Sequence, residues 1–336
     1  MTVTIREVAD AAGVSTATVS RALSGVQTVD PELVARVRQS AESLGYRANR
    51  VARALRRQST QTVGLVIPDI TNPFFPPVVQ AVERELRRGG LSLLLCDAGN
   101  DVEIEAELVR NLFDHQIDGL LISVCDRTAS QAAVQLAASR VPVLQIDQRA
   151  LPEVPYVGVD QANAMGQIID HLLGQGCRSF AYIGLEQDTA SAQERLAEFR
   201  SRVQPADPAA EQRIRLGEGS VAWGHQAAAS LMAGQVPPDA IVCADGQAAL
   251  GALRALRAHG VSVPGDVALT GFDDSVLAAA SDPPLTSVRQ PLEELGTQAV
   301  RALSAAIEQQ LSRPRSALLA GELIVRASSL RRPADG

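Results

Sequence analysis

The stretch that most constrains this chain lies near its start and reads TIREVADAAGVSTATVSRALSG. Thr4 stands three residues before Glu7, the spacing of a capping box that satisfies two free N–H groups at a helix start. Apolar residues then recur at helical spacing up to Gly13, which can end a helix in the left-handed conformation. Ser15 is placed to cap a second helix over 16–23. Two short helices joined by a tight turn are typical of a helix-turn-helix unit.

A third helix is predicted after this pair. Asp30, Pro31 and Glu32 provide an N-cap, a proline at the first helical position and an acid in the first turn. Apolar residues at helical spacing follow, and Gly45 is expected to end the segment. Three helices of this length can enclose a small core and leave one face of the second helix exposed.

A basic segment follows the three helices. Four arginines recur every third residue and a fifth is adjacent to the last of them: Arg47, Arg50, Arg53, Arg56 and Arg57. A helix this short is marginal in water, so a solvated, charged linker is the ordinary interpretation. The alternative is a hinge that folds on DNA, with arginines on phosphates and an apolar residue such as Leu55 inserted in the minor groove.

The distribution of charge favours this alternative. The whole chain carries a net charge of −7, which taken alone argues against a nucleic-acid partner. Residues 1–58 hold nine arginines and five acidic residues, a net charge of +4, so the remainder carries −11. A basic N-terminal part on an acidic body indicates a local contact with nucleic acid.

From about residue 61 the sequence alternates between short apolar strands and helical stretches. The first strands read TVGLVIP, LSLLLCD, GLLIS, VPVLQID and YVGVD, and the alternation restarts after Asp160 with SFAYIG, RIRLG, AIVCA and VALTGF. This pattern predicts parallel sheets with helices on both faces, arranged as two lobes in tandem. A helix around 292–310 and a strand around 322–326 are expected to cross back between the lobes.

Polar residues follow several of these strands, where ligands of parallel sheets bind. They are Asp69, Asn72, Asp147, Arg149, Asp160, Gln161, Asp245, Asp273 and Asp274. Each alone can be a loop carboxylate or a helix cap. As a set they suit a polyhydroxylated ligand, because carboxylates accept hydrogen bonds from hydroxyls and a guanidinium donates in a fixed geometry. Phe74, Phe75 or Trp223 could cover a sugar ring, with ordinary core packing as the alternative.

The chain resembles the lac repressor (LacI/GalR) family of bacterial transcriptional regulators. VADAAGVSTATVSRALSG and GYRANRVARAL carry this resemblance, which extends over nearly all 336 residues, although Ala48 stands where proline is common. It implies base contacts from Thr16, Ala17 and Arg21 and minor-groove contacts from Ala52 and Leu55. The complete set of DNA-binding candidates is Thr16, Ala17, Ser20, Arg21, Arg47, Asn49, Arg50, Ala52, Arg53 and Leu55.

The same resemblance implies a core with the layout of periplasmic sugar-binding proteins. Its effector contacts match Phe74, Asp147, Arg195, Asp245 and Asp273. The chain departs from the family pattern at Glu198 (usually Gly), at Asp245-Gly246 (usually Asn-Asp) and near Gly219, where an aromatic residue is expected and Trp223 is the candidate substitute. The effector-binding candidates are Asp69, Asn72, Phe74, Asp147, Arg149, Arg195, Trp223, Asp245 and Asp273.

Signatures of other classes are missing from the sequence. No G-x-G-x-x-G follows a first strand, no P-loop occurs, and no Ser/His/Asp order stands out, so we expect no enzyme, catalytic residue or cofactor. Cys96, Cys125, Cys177 and Cys243 lack metal spacing and are expected to be buried free thiols. A secretion signal and a membrane-spanning apolar run are also missing, so we expect a cytoplasmic protein with no membrane contact.

We therefore predict an all-α helix-turn-helix headpiece and an α/β periplasmic-binding-protein-like core of two doubly wound parallel-sheet lobes. The predicted divisions are a headpiece over 1–46, a hinge helix and linker over 47–60, and an effector-binding and dimerisation core over 61–336, with an N-lobe of 61–160 plus 291–318 and a C-lobe of 161–290 plus 319–330.

The expected function is a homodimeric, sequence-specific regulator that binds a palindromic DNA operator. We expect it to repress genes of sugar uptake or catabolism under control of a small sugar or sugar derivative, with ribose as the first candidate. Three alternatives stay open: a regulator that responds to a nucleobase or a sugar phosphate, a cytoplasmic sugar-binding protein without a DNA role, and a sugar-modifying enzyme.

Overall fold

The computed structural model divides into two compact units, with the boundary between Thr60 and Gln61. It describes residues 3–23, 30–46, 59–186, 188–234, 237–308 and 316–331.

The first unit contains three helices, α1 (Ile5–Ala12), α2 (Thr16–Leu23) and α3 (Pro31–Ser43). Their apolar faces meet in a small core in which Val8, Val19, Ala22 and Val37 have no exposed surface. Helices this short are marginal in isolation, so their mutual packing supplies most of their stability.

The helix starts and stops predicted from the sequence are confirmed. Thr4 N donates to Glu7 Oε2 at 2.7 Å and Glu7 N donates to Thr4 Oγ1 at 3.4 Å, which completes the capping box. Gly13 ends α1 with φ of 66°. Thr18 N donates to Ser15 Oγ at 3.2 Å, and Asp30 accepts from the first N–H groups of α3.

The second unit holds two six-stranded sheets. The strands of the first are β1 (Thr62–Ile67), β2 (Ser92–Asp97), β3 (Gly119–Ile122), β4 (Val143–Ile146), β5 (Tyr156–Val159) and β11 (Ala317–Leu319). They follow the order β11-β5-β4-β3-β1-β2, and every pair is parallel. Its helices are α4 (Phe75–Arg88), α5 (Val102–Asp114), α6 (Gln131–Ala138) and α12 (Leu292–Ile307).

The second sheet repeats this plan. Its strands are β6 (Phe180–Leu185), β7 (Ile214–Gly217), β8 (Ala240–Cys243), β9 (Ala268–Phe272), β10 (Thr286–Arg289) and β12 (Glu322–Ile324). They follow the order β12-β10-β9-β8-β6-β7, parallel except where β12 runs antiparallel to β10. Its helices are α7 (Gln161–Gly174), α8 (Ala190–Val203), α9 (Val221–Met232), α10 (Gly246–Ala258) and α11 (Val276–Ala280). Two 3₁₀ turns cover Pro208–Arg213 and Ala327–Ser329.

Each sheet has a separate apolar core on each face. This is the doubly wound arrangement predicted from the alternation of strands and helices. The chain passes between the sheets after β5, after β10 and between β11 and β12.

Sequence reasoning missed two strands, β10 and β11. Both are short, and β10 reads TSVR, in which only valine is a large apolar residue. The last strand is also shorter than predicted and ends at Ile324. Cys125, Cys177 and Cys243 are buried free thiols as expected, whereas Cys96 on the edge strand β2 is only partly buried.

Two glycines let α9 and α10 pack closely in the second sheet's core. A Cβ on Gly224 would lie 2.1 Å from the carbonyl oxygen of Ala248, and one on Gly251 would lie 2.1 Å from that of Val221. Both contacts are with backbone atoms, which cannot move aside without separating the helices. These positions therefore require glycine for the approach of the two backbones rather than for a special φ.

We expect Gly224→Ala to destabilise the core unit by roughly 1–3 kcal/mol, because overpacking forces the helices apart. Gly174→Ala is the matched control, since a Cβ at this helical glycine meets nothing within 4 Å. Urea denaturation of both variants measures the effect. Equal stability of the two variants would contradict the close-packing argument.

Candidate functional site

A cavity of about 140 Å³ lies where the carboxyl ends of strands from both sheets meet. This is smaller than pockets for drug-sized ligands, which span roughly 300–1,000 Å³, and it favours a small ligand. The first sheet contributes the segments after β1, β2, β3 and β4. The second sheet contributes α8 and the segments after β6, β7, β8, β9 and β10. Seven of the nine predicted effector candidates line it: Asp69, Asn72, Phe74, Asp147, Arg195, Asp245 and Asp273.

Arg195 on α8 is held rigidly at this cavity and is only 6% exposed. Its Nε donates to Gln161 Oε1 at 2.9 Å, and its Nη1 donates to the carbonyl oxygen of Ala244 at 2.6 Å. The guanidinium carbon lies 3.7 Å from the centre of the Phe272 ring, a cation–π contact. These contacts fix the direction in which Arg195 can donate to a bound molecule.

Three carboxylates surround Arg195 at the ends of strands from both sheets. Asp147 and Asp273 adopt left-handed backbone conformations, with φ of 63° and 74°, which are uncommon for residues other than glycine and recur at functional sites. Asp245 caps α10 and accepts from Ala248 N through Oδ1 at 2.8 Å. Asp273 accepts from Gln290 Nε2.

Burial and mutual repulsion alter the protonation of this cluster. Burial raises the pKa of Asp147 to about 7, with Arg195 opposing the shift and Asp273 adding to it. Burial also raises the pKa of Asp245 to about 6, and the neighbouring Asp273 adds to the effect. The single guanidinium therefore does not compensate for the negative charge that converges here.

Phe74 and Phe75 both line the cavity and also belong to the apolar core of the first sheet. Their rings meet edge to face, with centroids 5.1 Å apart, and the residues are 6% and 5% exposed. Core packing and contact with a ligand are therefore not exclusive alternatives for this pair.

Two predicted effector residues, Arg149 and Trp223, lie outside the cavity lining. Arg149 Nη2 pairs with Glu194 Oε1 at 2.8 Å, and its guanidinium stacks over the ring of Tyr156. Trp223 lies in the first turn of α9, and its ring packs against Gly217 at the end of β7. The sequence predicted both as effector contacts, but their side chains make these other contacts and are not part of the lining.

Three of the polar residues predicted after strands form hydrogen bonds or ion pairs within the protein. Asp160 caps α7 by accepting from Asn163 N at 2.9 Å, and Gln161 supports Arg195 from behind. Asp274 pairs with Arg289 at 2.8 Å and with Arg326 at 2.6 Å.

Sequence reasoning missed six polar residues of the lining: Asn100, Gln148, Thr189, Ser191, Gln247 and Gln290. Gln148 bridges the two sheets, because its Nε2 donates to Ser191 Oγ at 2.6 Å and its Oε1 accepts from Ser191 N at 3.3 Å. Gln290 follows β10, a strand too short to be recognised, and is 4% exposed. A search for polar residues after every parallel strand would have found Gln290 once β10 was known.

The second site candidate is the outer face of α2. Thr16, Ala17 and Arg21 are exposed and Ser20 is partly exposed, opposite the buried Val19. Arg21 Nε donates to the carbonyl oxygen of Ala17 at 3.3 Å. The other predicted DNA contacts lie outside the described residues: Arg47, Asn49, Arg50, Ala52, Arg53 and Leu55.

In the parts of the chain that the structure describes, no group of three or more His, Cys, Asp or Glu could hold a metal ion. Within those same parts, no helix combines the length and apolarity needed to cross a bilayer.

A helix-turn-helix headpiece joined to a two-lobed α/β core defines a class of DNA-binding transcriptional regulators. The model for bacterial regulatory proteins of the lacI family matches residues 4–49, and the model for a periplasmic binding protein-like domain matches residues 169–329. The HTH-type transcriptional regulator GntR of Pseudomonas aeruginosa is 35% identical over 330 residues, covering 97% of this chain and 95% of that protein. The chain belongs to the LacI/GalR family of bacterial regulators.

Two solved structures are similar over nearly the whole chain. The lac repressor dimer bound to operator and the anti-inducer ONPF has a TM-score of 0.88 at 26% identity, covering 98% of this chain and 100% of that one. The complex of the transcriptional regulator CelR with cellobiose has a TM-score of 0.74 at 31% identity, covering 97% of this chain and 99% of that one. These relatives are transcriptional regulators rather than enzymes.

The carboxylate cluster predicts a stability that falls with rising pH. A carboxyl whose pKa is raised in the folded state stabilises that state at low pH, and this contribution is lost as the pH rises from about 4 through about 7. We expect Asp147→Asn to stabilise the core at pH 8 by roughly 1–3 kcal/mol, because one raised pKa unit corresponds to about 1.4 kcal/mol.

The measurement is thermal unfolding of both proteins between pH 5 and pH 8. Asparagine tolerates the left-handed backbone at this position, so the substitution adds little strain. Asp114→Asn, at an exposed helix end, serves as the control and should leave the pH profile of unfolding unchanged. An Asp147→Asn profile parallel to that of the unaltered protein would show that this carboxyl does not resist ionisation.

Proposed function

We propose that this protein is a homodimeric repressor that binds a palindromic operator through α2 and is controlled by a small sugar or sugar derivative in the cavity. Ribose remains the first candidate on size, and genes of sugar uptake or catabolism are the expected targets. The division into headpiece (1–46), hinge (47–60) and core (61–336), the lobe boundaries within the core and a cytoplasmic location belong to the same proposal.

The observation that carries the effector part is the convergence of acceptors from both sheets on one small cavity. Asp147 comes from the first sheet, and Asp245 and Asp273 come from the second. Hydroxyl groups of a sugar can donate to these oxygens, while Arg195 donates back to a ring or hydroxyl oxygen. The relative CelR, solved as a cellobiose complex, supports a sugar as the ligand class.

Control of DNA binding would follow from the position of the cavity between the sheets. Gln148 and Ser191 already bridge the sheets, and Arg127 pairs with Asp188 across them at 3.4 Å. A ligand that contacts both lobes stabilises the arrangement in which those contacts form. If operator and effector prefer different arrangements, each lowers the affinity for the other by the same factor.

The DNA-reading part rests on the exposed face of α2, where Arg21 is the one long cationic side chain of that described helix. Second helices of this motif read base edges in the major groove, and an arginine can bind guanine through two hydrogen bonds. The alternative, a cytoplasmic sugar-binding protein without a DNA role, leaves this face unexplained.

We expect Arg21→Ala to lower affinity for the specific operator by about tenfold or more, because one base-reading arginine contributes roughly 1–3 kcal/mol of discrimination. The operator is first selected from a pool of random duplexes with the full-length protein. Fluorescence anisotropy then measures its binding against a scrambled duplex. Arg110→Ala removes an exposed arginine of α5 as a control and should not alter operator binding.

Operator preference retained by Arg21→Ala would rule out the base-reading role of Arg21. Failure of the unaltered protein to select any duplex would favour the sugar-binding alternative.

We expect Asp273→Asn to bind the same operator while its response to effector weakens by about tenfold, because an ionised acceptor that binds a ligand hydroxyl is lost. Titration of operator-bound protein with sugars, sugar phosphates and nucleobases measures the response. Asparagine keeps the size of the side chain and suits the left-handed backbone at this position. An unchanged dose response would remove Asp273 from the effector site.

A further inference from the structure

The charged side chains that line the cavity are mostly acidic. Its described lining contains four carboxylates, from Asp69, Asp147, Asp245 and Asp273, and one guanidinium, from Arg195. A phosphate or carboxylate group placed here would add negative charge to a cluster that already lacks compensation. Like charges at short range in a partly buried site are strongly unfavourable.

Arg195 is poorly placed to compensate for an anionic ligand. Its Nε and Nη1 atoms already donate to Gln161 and Ala244, so each of the two guanidinium forks, Nε with Nη2 and Nη1 with Nη2, has one nitrogen already in use. Paired, parallel donation from a guanidinium fork is the geometry that favours phosphate and carboxylate groups. Only Nη2 has no hydrogen-bond partner among the described residues.

The lining also contains an acceptor, on Gln290, that lacks a hydrogen-bond partner within the described part of the chain. Gln290 is 4% exposed, and its side-chain nitrogen Nε2 donates to Asp273. Its side-chain oxygen Oε1 is buried and has no hydrogen-bond partner among the described residues. A buried acceptor without a donor costs free energy, so its pairing with a donor group of a ligand would be favourable.

Asp245 places a second acceptor beside Gly219. Its carboxylate accepts from the backbone of Ala248, through Oδ1, and from the backbone of Gln247 at the start of α10. Its Oδ2 lies toward Gly219, where a Cβ would stand 3.5 Å from this oxygen. The absence of a side chain at Gly219 leaves room for a ligand group to reach Oδ2.

We propose that the effector is a small polyol with a protonated amine, such as an amino sugar, and that Asp245 is the carboxylate that selects the amine. An ammonium group offers three donors and no acceptor, which matches the acceptor oxygens of Asp245 and Gln290. Its positive charge offsets the excess of carboxylates. This inference rests on the proposed function, because it names the ligand class of the same cavity.

A cationic ligand should also change the protonation of the cluster. The charged groups that face Asp147 and Asp245 are Arg195 and Asp273, with Asp273 repelling both. A bound ammonium would lower the raised pKa values of these carboxyls and release protons near pH 6.5. A neutral sugar has no charge with which to produce such a release.

Isothermal titration calorimetry on the full-length protein tests the proposal with matched sugars. The sets are D-glucose, D-glucosamine and glucose 6-phosphate, and the corresponding forms of D-galactose and D-mannose. In at least one set, the amine should bind about tenfold more tightly than its parent, the size expected for a hydrogen bond between charged groups. The 6-phosphates should bind more weakly than the parents, and titration in two buffers should show proton release for the amine.

Asp245→Asn should reduce the advantage of the amine to less than about threefold, because a neutral amide cannot supply the charge. Asparagine is also a good N-cap, so α10 is retained. The control is Asp101→Asn, an N-cap of α5 outside the cavity lining, which should keep the amine preference.

Equal binding of amine and parent, tighter binding of a phosphate, proton uptake, or no binding by any amine would each overturn the proposal. Operator binding, measured on the same preparation, distinguishes failure of the amine proposal from failure of the proposed function. A protein that binds operator but shows no amine preference refutes only this inference. A protein that binds no operator refutes the proposed function, whatever its ligand preference.

Discussion

The interaction of one buried cation with several carboxylates determines the electrostatics of the cavity between the two sheets. The Arg195 guanidinium lies against the Phe272 ring and is fixed by Gln161 and Ala244. It opposes the burial-driven rise in the pKa of Asp147 and Asp245 without cancelling it. Burial of charge is unfavourable unless it is paired. The negative charge of the carboxylates is therefore only partly compensated by Arg195. Titratable groups with such perturbed pKa values are often found at functional sites.

The cavity lies between the two sheets, which is the position that the proposed control of DNA binding requires. Polar side chains from both sheets line it, and Gln148 and Ser191 join the sheets there. Under the proposed function, a ligand that contacts both sheets would favour the arrangement of the lobes in which those contacts form. Parallel sheets suit this role because all strands of one lobe present their carboxyl ends on the same edge.

The headpiece is stabilised by capping hydrogen bonds and by a small apolar core. Its core is small, and its helices depend on caps and on tight packing of residues such as Val8 and Val19. Local rules fix this unit, since capping boxes, N-cap aspartates and left-handed glycines act over three or four residues. These rules were readable in the sequence around Thr4, Gly13 and Asp30, and the helices begin and end where they indicate.

The sequence by itself determined the headpiece helices, the alternation of strands and helices, and the polar character of the strand ends, because these follow from local spacing. It also named Asp147 and Asp273, which line the cavity. Only the tertiary structure decided that Arg149 turns away to Glu194, that Trp223 covers Gly217, and that residues after an unrecognised strand join the lining. Side-chain direction depends on partners distant in sequence, and a four-residue strand is stabilised by its neighbours in the sheet rather than by its own pattern.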